Sequence, residues 1–296
     1  MDAVVEALRE RMVPWYEVNK RDLPWRHTTE PYQLVAAELM LQQTGVDRIA
    51  PRWTRFVERF PSWQSIAEAT PGEVIREWQG LGYNRRAVSL HRMARAVVEE
   101  FGGSLPADRK QLLELPGVGP YTANAILSFV HNQDVPAIDV NLRRVIGRLA
   151  FSDAEAPLAD VEAVAAEAIP PGRSGDWNQA LMDFAALVCT LRKPACLLCQ
   201  MRDVCRTANG GAAPIERPTR LAAERRVRYV GSTRYQRGKV VDLLRNEPRL
   251  SAEEIADRLA ADPAAGQFEL EPLLAGLVRD GLIELAEDDG SHYRLP

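Results

Sequence analysis

The sequence predicts an all-α protein with a small, separate C-terminal unit. Three observations carry this. Apolar residues recur at helical spacing from the N-terminus onward, and no stretch alternates like a strand before residue 280. All four cysteines, Cys189, Cys196, Cys199 and Cys205, fall in one short segment. Beyond Cys205 the composition turns to Gly, Pro and Arg, as in a linker. A chain of 296 residues makes two domains the starting expectation. The formal charge of −4 removes any whole-chain basic signal, so contact with a polyanion must come from local patches. No apolar run is long enough to span a membrane, and the opening MDAVVEALRERMVPWY reads as an amphipathic helix rather than a signal peptide. A cytoplasmic protein is expected.

In chain order, residues 1–20 form the amphipathic helix, and RDLPWR breaks it. YQLVAAELML, 32–41, is apolar nearly all round and should be a buried helix, with Glu38 in its middle and Gln42 and Gln43 at its end. Short helices follow over 48–60, 63–69, 71–79 and 87–101, with Ser62 and Thr70 as candidate caps. Between the last two lies a glycine turn, GLGYN, that carries Tyr83. Residues 110–115 lead into a second turn, Leu115-Pro116-Gly117-Val118-Gly119, and then a buried helix over 121–130. Further helices are expected over 141–149, 153–170 and 177–190. The expected organisation is a main domain over 1–206, a linker over 207–232 and a C-terminal domain over 233–296. That last part reads as helices over 235–244, 251–260 and 270–279, then a hairpin turning at Asp289-Gly290. Three helices closed by a ribbon is the winged-helix arrangement.

Each candidate motif also has a structural reading. A tight glycine turn feeding a helix start, as at Gly117, Val118 and Gly119, is a ready phosphate site, but alone it could simply end a helix. Glu38 alone fits a buried carboxylate paired with an arginine. Asp139, between Ile138 and Val140, alone fits an N-cap for the next helix. The spacing C-x6-C-x2-C-x5-C is the most specific signal, since four thiolates can hold a 4Fe-4S cluster or one zinc.

Taken together, LPWR at 23–26, ELMLQQT at 38–44, GLGY at 80–83, LPGVGPYTANAI at 115–126, IDVNLRRV at 138–145, NQALMD at 178–183 and the cysteine loop resemble one family. It is the iron-sulfur helix-hairpin-helix DNA glycosylases. The resemblance is nearest to the adenine-specific, MutY-like branch and more distant to endonuclease III. It implies a helix-hairpin-helix glycosylase fold, a 4Fe-4S cluster on the four cysteines, and double-stranded DNA with a mismatched or damaged base as the partner of a monomer. It further implies that Glu38 protonates the departing base, Asp139 stabilises the sugar cation, Asn141 orients Asp139, and Tyr121 lines the sugar pocket. Gln42, Gln43 and Tyr83 would wedge into the base stack, and Trp25 and Arg26 would edge the base pocket.

The chemistry is consistent with those roles. A base must leave the duplex before it can be cut, at a cost of about a few kcal/mol. Breaking its glycosidic bond puts electrons on the base and positive charge on the sugar, so an acid beside one and a carboxylate beside the other both help. The apolar helix around Glu38 is expected to favour its protonated form. Family members that also cut the backbone carry a lysine where this chain has Tyr121, so hydrolysis without lyase chemistry is expected. Rival expectations are thymine or uracil opposite guanine, a damaged purine, or a DNA-binding module without catalysis. The chain departs from adenine glycosylases at Val140, usually glycine, and in lacking the usual C-terminal domain that senses 8-oxoguanine. Because 270–279 is poor in basic residues, the C-terminal unit is expected to add phosphate affinity through cations between Arg217 and Lys239, and not to read a base.

Overall fold

The structure is a computed structural model that describes residues 1–210, 229–286 and 290–296. Among these, 1–29, 106–114 and 118–210 form one compact unit, and 30–105, 115–117, 229–286 and 290–296 form the other.

The first unit holds α1 (Asp2–Asn19), α7 (Arg109–Glu114), α8 (Pro120–Phe129), α9 (Val140–Ala150), α10 (Leu158–Ala168), α11 (Ser174–Leu187) and the single turn α12 (Arg206–Asn209). Its core joins α1, α9, α10 and α11 through Leu8, Met12, Leu142, Ile146, Val161, Trp177, Leu181 and Phe184. Burying each such side chain stabilises by about 1.5–3 kcal/mol. The Trp177 indole also donates to the Leu8 carbonyl at 3.1 Å, so its one polar atom is satisfied. Met201 and Cys205 belong to the same core, which anchors the cysteine segment from beneath.

The second unit holds α2 (Pro31–Leu41), α3 (Val46–Arg59), α4 (Trp63–Glu68), α5 (Pro71–Glu77) and α6 (Arg85–Phe101). Pro31 begins α2 with its fixed φ. Ser62 and Thr70 cap α4 and α5, each in a reciprocal capping box, as the sequence predicts. Phe56 packs edge-on against Trp78 at 5.6 Å and tilted against Phe60 at 5.2 Å between ring centres.

The C-terminal residues of this unit form α13 (Thr233–Asn246), α14 (Ala252–Ala260) and α15 (Leu270–Arg279). With them is a sheet of β1 (Leu250–Ser251), β2 (Glu284–Leu285) and β3 (His292–Arg294), ordered β1-β3-β2 and antiparallel throughout. β2 and β3 pair as the expected hairpin requires, with Leu285 opposite Tyr293, and Asp289 of the expected turn lies outside the described residues. The expected two-stranded ribbon is corrected to three strands, because Leu250 pairs with Tyr293. Two residues are too short a strand to show alternation in sequence. This segment packs on the helices at 30–105: half-buried Arg245 donates to the Ile75 carbonyl at 2.9 Å and to Asn84 Oδ1 at 3.0 Å, and the Gly72 amide donates to the Pro296 carbonyl. No described helix is long and apolar enough to cross a membrane.

Candidate active site

In the second unit, Glu38 lies half-buried on α2, between the buried Ala37 and Leu39. Where the helix ends, Gln42 is half-buried and Gln43 exposed. Gln43 takes φ 58° and Tyr83 takes φ 44°, both left-handed without being glycine. Such residues cost on the order of 1–3 kcal/mol and persist only where their surroundings impose them. Here Arg86 does so. It is buried, and it donates to the carbonyls of Leu39 (2.9 Å), Met40 (2.6 Å), Gln42 (2.6 Å) and Gly82 (3.0 Å). One guanidinium therefore ties the frayed end of α2 to the GLGY turn. Desolvation pulls its pKa down to about 10, which leaves it charged at neutral pH. Gln42, Gln43, Tyr83, Arg86, Arg234 and Arg237 line one cleft.

Arg86 was not among the expected site residues, though a signal was present. It shares the stripe Arg86, Leu90, Met93, Val97 on α6, an i, i+4, i+7, i+11 pattern otherwise filled by apolar side chains. A charge on a buried stripe needs several acceptors.

The LPGVG turn crosses from one unit to the other, with Gly117 in the second and Val118 and Gly119 in the first. Gly117 has φ 83°, and a Cβ there would stand 2.9 Å from the Ser89 Cβ. Val118 is buried. Gly119 is the N-cap of α8 and Pro120 its first residue, with Tyr121 half-buried beside them.

In the first unit, half-buried Asp139 caps α9. Its Oδ1 accepts from the amides of Asn141 and Leu142 at 2.8 Å, and its Oδ2 accepts from Asn141 Nδ2 at 2.6 Å. Asn141 Oδ1 in turn accepts from Arg144 at 2.9 Å, and Arg144 also donates to the carbonyls of Ala185 (3.1 Å) and Cys189 (3.2 Å). The capping reading and the oriented-carboxylate reading of Asp139 are thus one geometry, and it runs on to the backbone of the first cysteine. Val140, the departure from the family pattern, is the first residue of α9 and points to solvent at 78 % exposure.

The NQALMD residues act by position. Asn178, fully buried, accepts from the Ala137 amide at 2.9 Å and donates to the Val135 carbonyl at 3.0 Å, which fixes the segment that delivers Asp139. Asp183, also fully buried, pairs with Arg21 and Arg26 at 2.7 Å each. Burial alone would push its pKa up, but the hydrogen bonds from Arg26 and Arg21 outweigh that and hold it below the usual carboxylate value. The Arg26 guanidinium is therefore engaged with Asp183 and with the Arg21 carbonyl, next to the buried Trp25.

Cys189, Cys196, Cys199 and Cys205 line one small, mainly apolar pocket together with Arg148 and Arg202. Arg148 donates to the carbonyls of Thr190 (2.8 Å) and Leu191 (3.0 Å), holding the start of the loop. The donor set is four thiols facing a common space, which suits a soft metal centre. Among the described residues no three His, Cys, Asp or Glu draw together around a single-ion site.

Among the C-terminal cations expected to meet phosphates, Arg217, Arg220, Arg225, Arg226 and Arg228 lie outside the described residues. Arg237 pairs with Asp280, and Lys239 with Asp262 at 2.9 Å. Arg234 is exposed and lies between two tyrosines.

Residues 36–171 match the HhH-GPD superfamily base excision DNA repair proteins. The chain is 38 % identical over 281 residues to an adenine DNA glycosylase of Mycolicibacterium smegmatis, covering 94 % of this chain and 92 % of that protein. It is 32 % identical over 198 residues to a thymine/uracil-DNA glycosylase of Methanothermobacter thermautotrophicus, covering 66 % of this chain and 90 % of that one. The solved structure of a thermostable thymine-DNA glycosylase superposes with a TM-score of 0.66 at 29 % identity, over 71 % of this chain and 98 % of that one.

Proposed function

This chain belongs to the HhH-GPD superfamily of base excision DNA repair proteins, and we propose on that premise that it removes adenine mispaired with guanine or 8-oxoguanine from double-stranded DNA, by hydrolysis and without cutting the backbone. The observation that carries the adenine specificity is the 38 % identity to an adenine DNA glycosylase across 94 % of the chain.

In this reading Gln42, Gln43 and Tyr83 fill the gap left by the rotated base. Trp25 edges the base pocket, with Arg26 fixed beside it by Asp183. The phosphate near the flipped sugar lies on the turn at Gly117, Val118 and Gly119. The Glu38 carboxyl gives its proton to the adenine ring, and electrons from the glycosidic bond move onto the base. The sugar cation forms near Asp139, whose two oxygens are held in place by Asn141 and the α9 amides, and water completes the sugar. Tyr121 offers no amine for a Schiff base.

Cys189, Cys196, Cys199 and Cys205 fit a 4Fe-4S cluster, since all four thiols face one pocket and Arg148 and Arg202 there can offset its charge. When bound, such a cluster would cross-link the loop and add electron-transfer capacity. The C-terminal segment is proposed to be a winged-helix-like domain, and the protein to act as a monomer.

The deciding experiment is single-turnover excision on duplexes with A:8-oxoguanine, A:G, T:G and U:G pairs. Abasic sites should form only at adenine, and borohydride should trap no covalent complex. Faster excision of thymine or uracil would move the protein to the specificity of its thymine/uracil relative. Glu38→Gln and Asp139→Asn should keep DNA binding and lose excision by about 100-fold or more. Asparagine also caps helices well, so Asp139→Asn tests the charge rather than the fold. Rates within threefold of wild type for both variants would refute the assignment.

A further inference from the structure

Five side chains of the second unit form one stack in which aromatic rings and guanidinium groups alternate: Trp78, Arg86, Tyr83, Arg234, Tyr229. The Arg86 guanidinium carbon lies 5.5 Å from the Trp78 ring centre and 5.5 Å from that of Tyr83. The Arg234 carbon lies 4.9 Å from the Tyr83 ring centre and 4.7 Å from that of Tyr229. Arg234 also donates to the Tyr83 hydroxyl. Three members come from the helical body at 30–105 and two from the C-terminal segment.

The two arginines differ in kind. Arg86 is buried and saturated with carbonyl acceptors, so it is a fixed floor beneath Tyr83. Arg234 is exposed and sits in the first turn of α13, which Ser232 caps through the Tyr235 amide. Tyr229 is braced edge-on against Tyr235 at 5.4 Å. The neighbouring cations of α13 are committed elsewhere, Arg237 to Asp280 and Lys239 to Asp262. Tyr83, 37 % exposed, lies in a turn with Gly80 and Gly82 at positive φ, and both guanidinium groups lie within cation–π reach of its ring.

We propose that Arg234 is a positioning residue for Tyr83: the C-terminal segment grips the outer face of the wedge tyrosine and sets its ring in the orientation that enters the base stack. The inference rests on the reading of Tyr83 as a wedge. It gives the C-terminal segment a part in excision that needs no base contact of its own. A ring held in place before DNA arrives loses less freedom on insertion, so the gain appears in the flipped complex rather than in first binding.

The test is a double-mutant cycle in the full chain with Tyr83→Ala, Arg234→Ala, Arg234→Lys and the Tyr83→Ala/Arg234→Ala pair. Single-turnover excision on an adenine:8-oxoguanine duplex is measured with the fluorescence of a 2-aminopurine placed beside the mismatch, which reports unstacking, and with affinity for a matched duplex. Arg234→Ala should slow excision about tenfold, a size usual for coupled neighbours, and quench the 2-aminopurine signal. Lysine should not restore either, because it keeps the charge and loses the planar face. Matched-duplex affinity should change less than twofold, and Arg234→Ala should do nothing further once Tyr83 is alanine. The positioning role is overturned if Arg234→Ala weakens matched-duplex binding and excision by the same factor in both backgrounds, or if lysine rescues, since both describe a phosphate contact. It is equally overturned if Tyr83→Ala is slow while Arg234→Ala is fast. If Tyr83→Ala alone excises at the wild-type rate, the wedge reading has failed and takes the positioning role with it.

Discussion

Asp183 shows how much one buried carboxylate can organise. It has no exposed surface, accepts from the Arg21 amide and side chain and from both Arg26 amino groups, and so closes the LPWR loop onto α11. Removing one member of a buried ion pair usually costs about 3–5 kcal/mol, because a charge is left without a partner. Asp183→Ala should lose stability of that order in urea at pH 7. The pH dependence has a definite sign. The folded pKa is depressed, so the contribution is complete above the unfolded value of about 3.9 and disappears as pH falls through the lower folded value. The stability gap between wild type and Asp183→Asn should therefore be flat from about pH 8 to pH 5 and close only in more acid solution. A gap that closed near pH 6 would mean that another group carries it. Sequence shows Asp183 and Arg26 as motif residues but cannot show that they meet, because 157 positions separate them.

At the scale of elements, the turn before α8 depends on a backbone shape that only glycine takes without strain. Gly117→Ala meets both a positive φ of 83° and the Ser89 Cβ at 2.9 Å. The substitution should cost roughly 1–3 kcal/mol and weaken duplex binding, read by thermal melting and by titration of labelled DNA. Binding at wild-type strength would take the turn out of the interface. The cysteine loop is the second such element. Its first carbonyl holds Arg144, which holds Asn141, which holds Asp139. The purified protein should be brown and contain iron, and Cys199→Ser should lose iron and slow excision. Zinc in place of iron would overturn the cluster. Asp139 was legible as an N-cap and, through the family resemblance, as the partner of Asn141, whereas the link from Arg144 to Cys189 spans 45 positions and was not legible.

At the scale of the molecule, the C-terminal segment shares a compact unit with residues 30–105. A chain ending at Gly210 would lose Arg245 from the Ile75 carbonyl, Pro296 from the Gly72 amide and Arg234 from Tyr83. It should melt lower, by about 2–4 °C for each kcal/mol lost, and excise adenine more slowly. Its preference for 8-oxoguanine over guanine opposite the adenine should hardly move, since α15 is apolar apart from Glu271 and a single cation, Arg279, in its last turn. Loss of an existing 8-oxoguanine preference on truncation would make this segment the sensor of the opposing base.

The helices, the Ser62 and Thr70 caps, the cysteine loop and the Asp139–Asn141 pair depend on neighbours within a few positions, where spacing and propensity act directly. The sequence by itself determined these, together with the family. Tertiary structure alone decided what Arg86 grips, which arginines neutralise Asp183, where β1 finds β3, and that Tyr83 lies between an arginine of α6 and one of α13. In each of these a charge, a ring or an unpaired strand accepts many partners equally well, and the one it meets is fixed by packing that brings distant segments together, which no local pattern encodes.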